Sequence, residues 1–285
     1  MAERPARRSP SPTVAQVLRV ERLTPHLTRV VLGGDGLAGF DAGAYTDHYV
    51  KLLFPAEGVT YPEPFDLQRI REELPREHWP RMRTYTVRRW DPTVRELTID
   101  VVVHGDEGVA GPWATRVRPG ELVRFAGPGG AYVPAEDADW HLLVGDESAL
   151  PAIAASVERL PEGARAHVFI EVPGPEEEIK LETPGDATVT WLHRGTERVG
   201  DALVAAVTEL EFPPGDVHAF VHGEANFVKE LRRLLLKERG IPRERVSISG
   251  YWRLGHDEDR WQATKRDWNR QVEQEQDAQA AGGTS

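Results

Sequence analysis

Apolar and polar residues alternate in short runs over the first half of the chain. The runs "VAQVLRV", "LTRVVLGG", "HYVKLLF", "RTYTVRRW", "ELTIDVVVHG" and "ELVRFAGPGG" are rich in β-branched and aromatic residues, with Gly, Pro or Asp between them. This pattern predicts six strands between Val14 and about Val133. Few windows there have a helical period, so the strands are expected to close into an antiparallel barrel. One helical interruption is expected at Asp66–Leu74.

The pattern changes near Trp140. "WHLLVGDESALPAIAASVERL" reads as an apolar strand followed by a helix. "AHVFIEV", "ATVTWL", "VHAFVHG" and "RVSISGYW" are further short strands, and helical windows at Gly200–Leu210 and Glu224–Arg239 lie among them. Such alternation predicts a parallel sheet covered on both faces. After Asp257 the chain is polar, and Trp261, Trp268 and Val272 recur at about helical spacing, as in a helix docked along one stripe. The expected organisation is a disordered Arg/Pro/Ser-rich tail over 1–13, a barrel over 14–136, an α/β unit over 137–256, and a helix with a frayed end over 257–285.

Composition narrows the chemistry. The 285 residues include no cysteine, which excludes disulfides, thiolate zinc sites and cysteine-ligated iron–sulfur clusters. Redox chemistry would need an external cofactor. A net charge of −11 argues against nucleic acid as the main partner. No run approaches the roughly 18 apolar residues of a membrane span, and the N-terminus has no apolar signal core. The expected location is the cytoplasm, without membrane insertion.

Several segments could carry a site. On a strand, Arg83 and Tyr85 of "RTYT" share one face, with Thr84 and Thr86 on the other. A guanidinium beside an aromatic ring suits a flat anionic ligand; a solvated strand face is the competing reading, and the residues leave both open. "HGDEGVAGPWATRVRPGE" places Gly108, Gly111 and Pro112 before a short helix, "WATRV", whose free amides could meet an anion. A plain turn explains it as well. "GDESALPAI" follows the first strand of the α/β unit, where nucleotides bind in such sheets. It lacks the G-x-G-x-x-G pattern, and Asp146 and Glu147 could instead cap the helix. His218 and His222 would lie roughly 13 Å apart on a strand, too far to share a metal. Ser148 lacks the G-x-S-x-G setting of a hydrolase nucleophile. Lys51 sits inside an apolar strand, where lysine usually snorkels to the surface. Arg253 follows the last strand and could pair with Asp257 or Glu258.

Taken in order, "HYVKLLFP", "RTYTVR", "DVVVHG", "GPWA", "RPGE", "GPGG", "VGDESALPAI", "VHGEAN" and "YWRLG" resemble the siderophore-interacting protein family, a branch of the ferredoxin-reductase-like flavoproteins. The resemblance runs from about Val14 to Arg260. One departure is "GVAGPWATRV", where family members more often have a small residue after Gly-Pro. The resemblance implies an FAD-binding barrel followed by a nicotinamide-nucleotide domain, and reduction of ferric siderophore to release iron(II).

Carried over position by position, Arg83, Thr84, Tyr85 and Thr86 would hold the flavin ring, ribityl chain and phosphates. Asp100, Val101, Val102 and His104 would face the FAD. Gly111, Pro112, Trp113 and Ala114 would sit at its pyrophosphate. Asp146, Glu147 and Ala149 would line the flavin–nicotinamide crevice, while Lys51 and Arg253 would contact siderophore. A carboxylate at Glu171, ending the second strand of the sheet, would bond a ribose hydroxyl and so favour NADH over NADPH. "PEEE" at 175–178 would add negative charge there. A ferredoxin is an alternative donor. Two competing readings are a siderophore-binding protein without turnover and a flavin reductase whose acceptor is a ferredoxin-type protein.

Overall fold

The computed structural model describes residues 11–103 and 108–282, with side chains to residue 274. Alternation in the N-terminal half resolves into β1 (Thr13–Thr24), β2 (Leu27–Gly33), β3 (Tyr49–Phe54), β4 (Arg81–Asp91), β5 (Glu96–Val102) and β6 (Leu122–Gly129). They form a closed antiparallel barrel in the order β1-β2-β5-β4-β3-β6. Strand period sets the contents: Val50 and Leu52 point inward and are fully buried, while Lys51 between them points outward and is only partly covered. Val30, Leu32, Leu97, Ile99, Val101 and Phe125 complete the inner packing. Burial of a side chain of this size contributes about 1.5–3 kcal/mol.

Two helices interrupt the barrel. α1 (Leu67–Glu73) starts where the sequence signals it, at Asp66. One Asp66 carboxylate oxygen accepts the amides of Gln68 (2.8 Å) and Arg69 (3.3 Å). Leu74 precedes Pro75 and is extended, so the helix stops there. Ile70 anchors α1 in a small cluster with Leu53 and Phe65. α2 spans Ala110–Ala114, not the expected "WATRV". Gly111 and Pro112 therefore lie within its first turn, where proline's missing N–H has no helical acceptor to lose.

The second unit contains β7 (Trp140–Asp146), α3 (Leu150–Val157), β8 (Arg165–Val172), β9 (Asp186–His193), α4 (Asp201–Glu209), β10 (Val217–Glu224), α5 (Ala225–Arg233) and β11 (Val246–Trp252). All sheet pairings are parallel, in the order β11-β10-β7-β8-β9. α5 runs on into a π-helical turn over Leu234–Glu238. Every residue of α3 is buried, because it is covered by β7 on one side and β4 of the barrel on the other. Gly145 permits that fit: a Cβ there would lie 2.5 Å from the Ala149 Cβ and 2.7 Å from the His222 carbonyl oxygen.

Polar latches join the two units. Ser156 of α3 donates to Thr46 (2.8 Å), and Arg88 of β4 donates to Glu158 (2.8 Å). Glu177 of the "PEEE" segment is buried against Thr24 and His26 at the β1–β2 turn, so its charge is used in docking. Finally, α6 (Glu258–Gly282) packs through Trp261 and Val272, both buried, with the Trp261 and Trp268 rings 5.3 Å apart. No described helix is long and apolar enough to cross a membrane.

Candidate functional site

Register places the "RTYT" side chains. Arg83 lies opposite Leu52 and Tyr85 opposite Val50, so both belong to the inward face of β4. Thr84 lies opposite Lys51, and Thr86 opposite the part-exposed Tyr49. Tyr85 packs against the barrel core, and burial pushes its phenol up, with the nearby Glu258 carboxylate adding to the effect. The Thr86 hydroxyl has no hydrogen-bond partner among the described residues.

The first turn of α6 covers this motif. Asp259 accepts from both terminal nitrogens of Arg83, at 3.1 and 3.2 Å, and Glu258 lies 3.7 Å from its Nε. Arg83 also donates to the Met82 carbonyl at 2.7 Å. The Thr84 amide donates to Glu258 at 3.0 Å. Burial raises the Glu258 pKa against the opposing pull of that amide and Arg83. Nothing local in the sequence links residues 83 and 259.

On β5, Asp100 is buried and makes a two-point pair with Arg29, both distances 2.8 Å, with Arg88 3.9 Å away. Val101 points into the barrel core, which leaves only its backbone available to a ligand. Val102 packs at the boundary between units, beside Leu27 and Leu150. His104 lies outside the described residues. In α2, Pro112 and Ala114 are buried, and Trp113 meets Phe54 edge-to-face at 5.5 Å. Ala110 and Gly111 occupy its first turn, where amides have no acceptor within the helix.

At the carboxyl ends of the sheet strands, Asp146 is a junction, not a helix cap. Its Oδ1 accepts from the Ser148 amide (2.9 Å) and hydroxyl (2.5 Å). Its Oδ2 accepts from the Glu224 amide and the Trp252 indole, each at 2.8 Å. Burial, reinforced by Glu147, pushes its carboxyl up to about 7. Gly223 allows the approach: its φ is +141°, and a Cβ would lie 2.7 Å from Asp146 Oδ2.

Glu147 caps nothing either. Arg194 holds it at 2.8 and 3.0 Å and reaches Glu171 at 3.0 Å. Glu171 is fully buried and also accepts the Gly200 amide at 2.9 and 3.1 Å. The carboxylate expected to read a ribose hydroxyl is thus enclosed in the fold, and the argument for NADH that rested on it lapses. Ala149 is buried beside Gly145.

Lys51 and Arg253 form no ion pair among the described residues, so the pairing of Arg253 with Asp257 or Glu258 is absent. Sequence reading missed a third cation. Lys265 of α6 has its ammonium pKa lowered by burial and then by the charge of Lys51. Only the one-turn spacing from Trp261 could have pointed to it. Lys51, Thr84, Glu258, Asp259 and Gln262 line one side of a cavity of about 660 Å³. Among the described residues no acidic or histidine cluster could hold a metal.

An inward aromatic ring at Tyr85, a guanidinium at Arg83, the unengaged Thr86 hydroxyl and the first-turn amides of α2 are the groups that a flat ring with a pyrophosphate requires. The residues present fit FAD.

Comparison with known proteins identifies the family. Residues 16–132 match the siderophore-interacting FAD-binding domain, and residues 138–255 the siderophore-interacting protein domain. The ferric vibriobactin reductase of Vibrio cholerae is 34% identical over 87% of this chain and 92% of its own. The NADPH-dependent ferric-chelate reductase of Escherichia coli is 33% identical over 83% and 91%. A siderophore utilization protein from T. fusca superposes with a TM-score of 0.75, at 39% identity over 86% of this chain and 94% of that one. The ferredoxin-NADP+ reductase of Plasmodium falciparum shares the fold, with a TM-score of 0.60, 11% identity, and 84% and 96% coverage. This ferredoxin-reductase-like chain belongs to the siderophore-interacting protein family.

Proposed function

We propose that the protein is an FAD-dependent reductase that takes electrons from a nicotinamide nucleotide and reduces ferric siderophore, releasing iron(II) in the cytoplasm. The observation that carries this reading is the placement of Lys51 directly opposite Thr84 of the flavin motif, with Lys265 close enough to depress in pKa. Cations for an anionic chelate thus adjoin the expected flavin site. The names of the Vibrio and Escherichia relatives support the same activity.

Bound FAD would accept a hydride as two electrons and pass them on singly, which iron(III) requires. The chain supplies position and electrostatics. Tyr85 offers a ring face, Thr86 a hydroxyl, and Arg83 with the α2 amides the positive end for phosphates. Val101 and the fully buried α3 keep water from the inner side of the site. Lys51, Lys265 and Arg253 would draw an anionic chelate to a chain whose overall charge of −11 repels it. Hard anionic oxygens hold iron(III) far better than iron(II), so reduction loosens the chelate. Cytoplasmic placement follows from the need for a nicotinamide donor.

NADPH is the first donor to test, because the Escherichia relative is named for it, with NADH second. The test is formation of a coloured ferrous-chelator complex from ferric siderophore, FAD-loaded protein and either donor. Release above the rate of free FAD supports the reading; release no faster than free FAD refutes it.

A further inference from the structure

The first turn of α6 makes contacts that the family resemblance did not bring forward, and they fall on the flavin motif. We propose that Glu258 and Asp259 are an internal competitor for the FAD phosphates, holding Arg83 and the Thr84 amide so that flavin loading has to displace the start of α6. This rests on the reductase reading in taking Arg83 as a phosphate-binding residue.

The Arg83 side chain is nearly enclosed, at 11% exposure. Asp259 Oδ2 accepts from both of its terminal nitrogens, at 3.1 and 3.2 Å, and Glu258 lies 3.7 Å from Nε. Arg83 also donates to the Met82 carbonyl at 2.7 Å. Glu258 accepts the Thr84 amide at 3.0 Å. Two carboxylates therefore sit where a diphosphate would bring further negative charge. Carboxylate and phosphate oxygens take the same guanidinium donors, and like charges crowded around one cation repel. The first turn of α6 and the FAD phosphates are thus alternative partners of Arg83.

The turn is built to leave. Burial raises the Glu258 pKa, so its charge is held against a desolvation cost that release removes. The Asp259 side chain is already 54% exposed. Gly255 precedes the turn with a φ of +79°, and a Cβ there would meet nothing within 4 Å, so the backbone has room to swing. The helix does not need the barrel to cap it, because Asp257 accepts the Arg260 amide at 2.7 Å. Its anchors lie further on. Trp261 is fully buried against Gly250 of β11, and Val272 is buried as well. The first turn can therefore move while the rest of α6 stays docked. The coupling is reciprocal: α6 lowers FAD affinity by as much as FAD loosens the turn.

The test uses the full-length chain stripped of flavin, with neither nicotinamide donor nor siderophore, titrated with FAD and followed by quenching of flavin fluorescence. Asp259→Asn keeps the shape and removes the charge, and should bind FAD about threefold or more tighter than the parent. Glu258→Gln combined with Asp259→Asn should tighten binding about tenfold or more. Hydrogen exchange in the parent, which needs no substitution, is the second readout: FAD should speed exchange of the amides over 257–261. Variants that bind FAD as the parent does or more weakly, or a turn whose exchange FAD slows, overturn the proposal; FAD still binds in those cases, and the reductase reading stands. If FAD does not bind the parent at all, both readings fall together.

Discussion

Arg83 and Asp259 are joined by two hydrogen bonds, 3.1 and 3.2 Å, across 176 residues of sequence. The bond ties the first turn of the C-terminal helix to the strand that carries the flavin motif. Arg83→Ala is therefore expected to act twice. FAD retention should weaken, since loss of one charge-assisted phosphate bond costs on the order of 1.5–3 kcal/mol, or roughly 10- to 100-fold in affinity. The start of α6 should also loosen, because Glu258 and Asp259 lose their cation. Flavin-to-protein ratio and limited proteolysis after residue 255 read the two effects separately. Full FAD retention would remove Arg83 from the site.

Lys51→Ala, Arg253→Ala and Lys265→Ala are each expected to raise the KM for ferric siderophore several-fold, with flavin content and the KM for the nicotinamide donor unchanged. Steady-state kinetics with both substrates checks this. Unchanged siderophore kinetics in all three would dissolve the assignment of the pocket.

Glu171 serves the fold. Arg194→Ala would leave Glu147 and Glu171 buried without their shared cation, a loss on the order of 3–5 kcal/mol, read as a lower denaturant midpoint. Glu171→Gln should lower stability but leave the ratio of NADH to NADPH activity where it was. A shift in that ratio would restore Glu171 to coenzyme recognition.

Two buried histidines couple the fold to acid. Burial, with His218 nearby, pushes His141 from 6.5 down to about 4. Burial and then Lys265 push His222 down to about 3. Neither nitrogen of His141 has a hydrogen-bond partner among the described residues. Unfolded histidines take up protons near pH 6.5 that the folded ones refuse. Their contribution to stability is thus full above about 6.5 and is lost as pH falls toward the folded values. Asp146 works in the opposite sense, because its folded carboxyl is raised: its contribution is present at low pH and is lost as pH rises through about 7. His141→Leu, which removes one proton site and no hydrogen bond, should move the acid-unfolding midpoint to lower pH. An unmoved midpoint would show that His141 does not drive acid unfolding.

Local signals carried the fold. The run Val50–Lys51–Leu52 alternates as a half-buried strand does, and Asp66 and Pro75 marked both ends of α1. Strand period also put Arg83 beside Tyr85 on one face of β4. The relationships that sequence did not disclose are long-range. An acid just before a helix suggests a cap, yet Asp146 turns to an amide on β10 and an indole N–H on β11 that only folding brings near. Glu171 ended its strand as a nucleotide-reading carboxylate would, but Arg194 and Gly200 arrive from the loop between β9 and α4 and enclose it. The helix in "GVAGPWATRV" was set three residues late because Gly-Pro reads as a breaker, although a first turn accepts it.

The account's central claim is that electrons pass from a nicotinamide nucleotide through bound FAD to ferric siderophore. The most direct measurement is the absorbance spectrum of the purified protein without oxygen, before and after NADPH is added and again after ferric siderophore. The prediction is a yellow protein whose flavin bands bleach with the donor and return with the siderophore as iron(II) appears. A colourless protein that FAD cannot reconstitute, or reduced flavin that ferric siderophore leaves bleached, would contradict it.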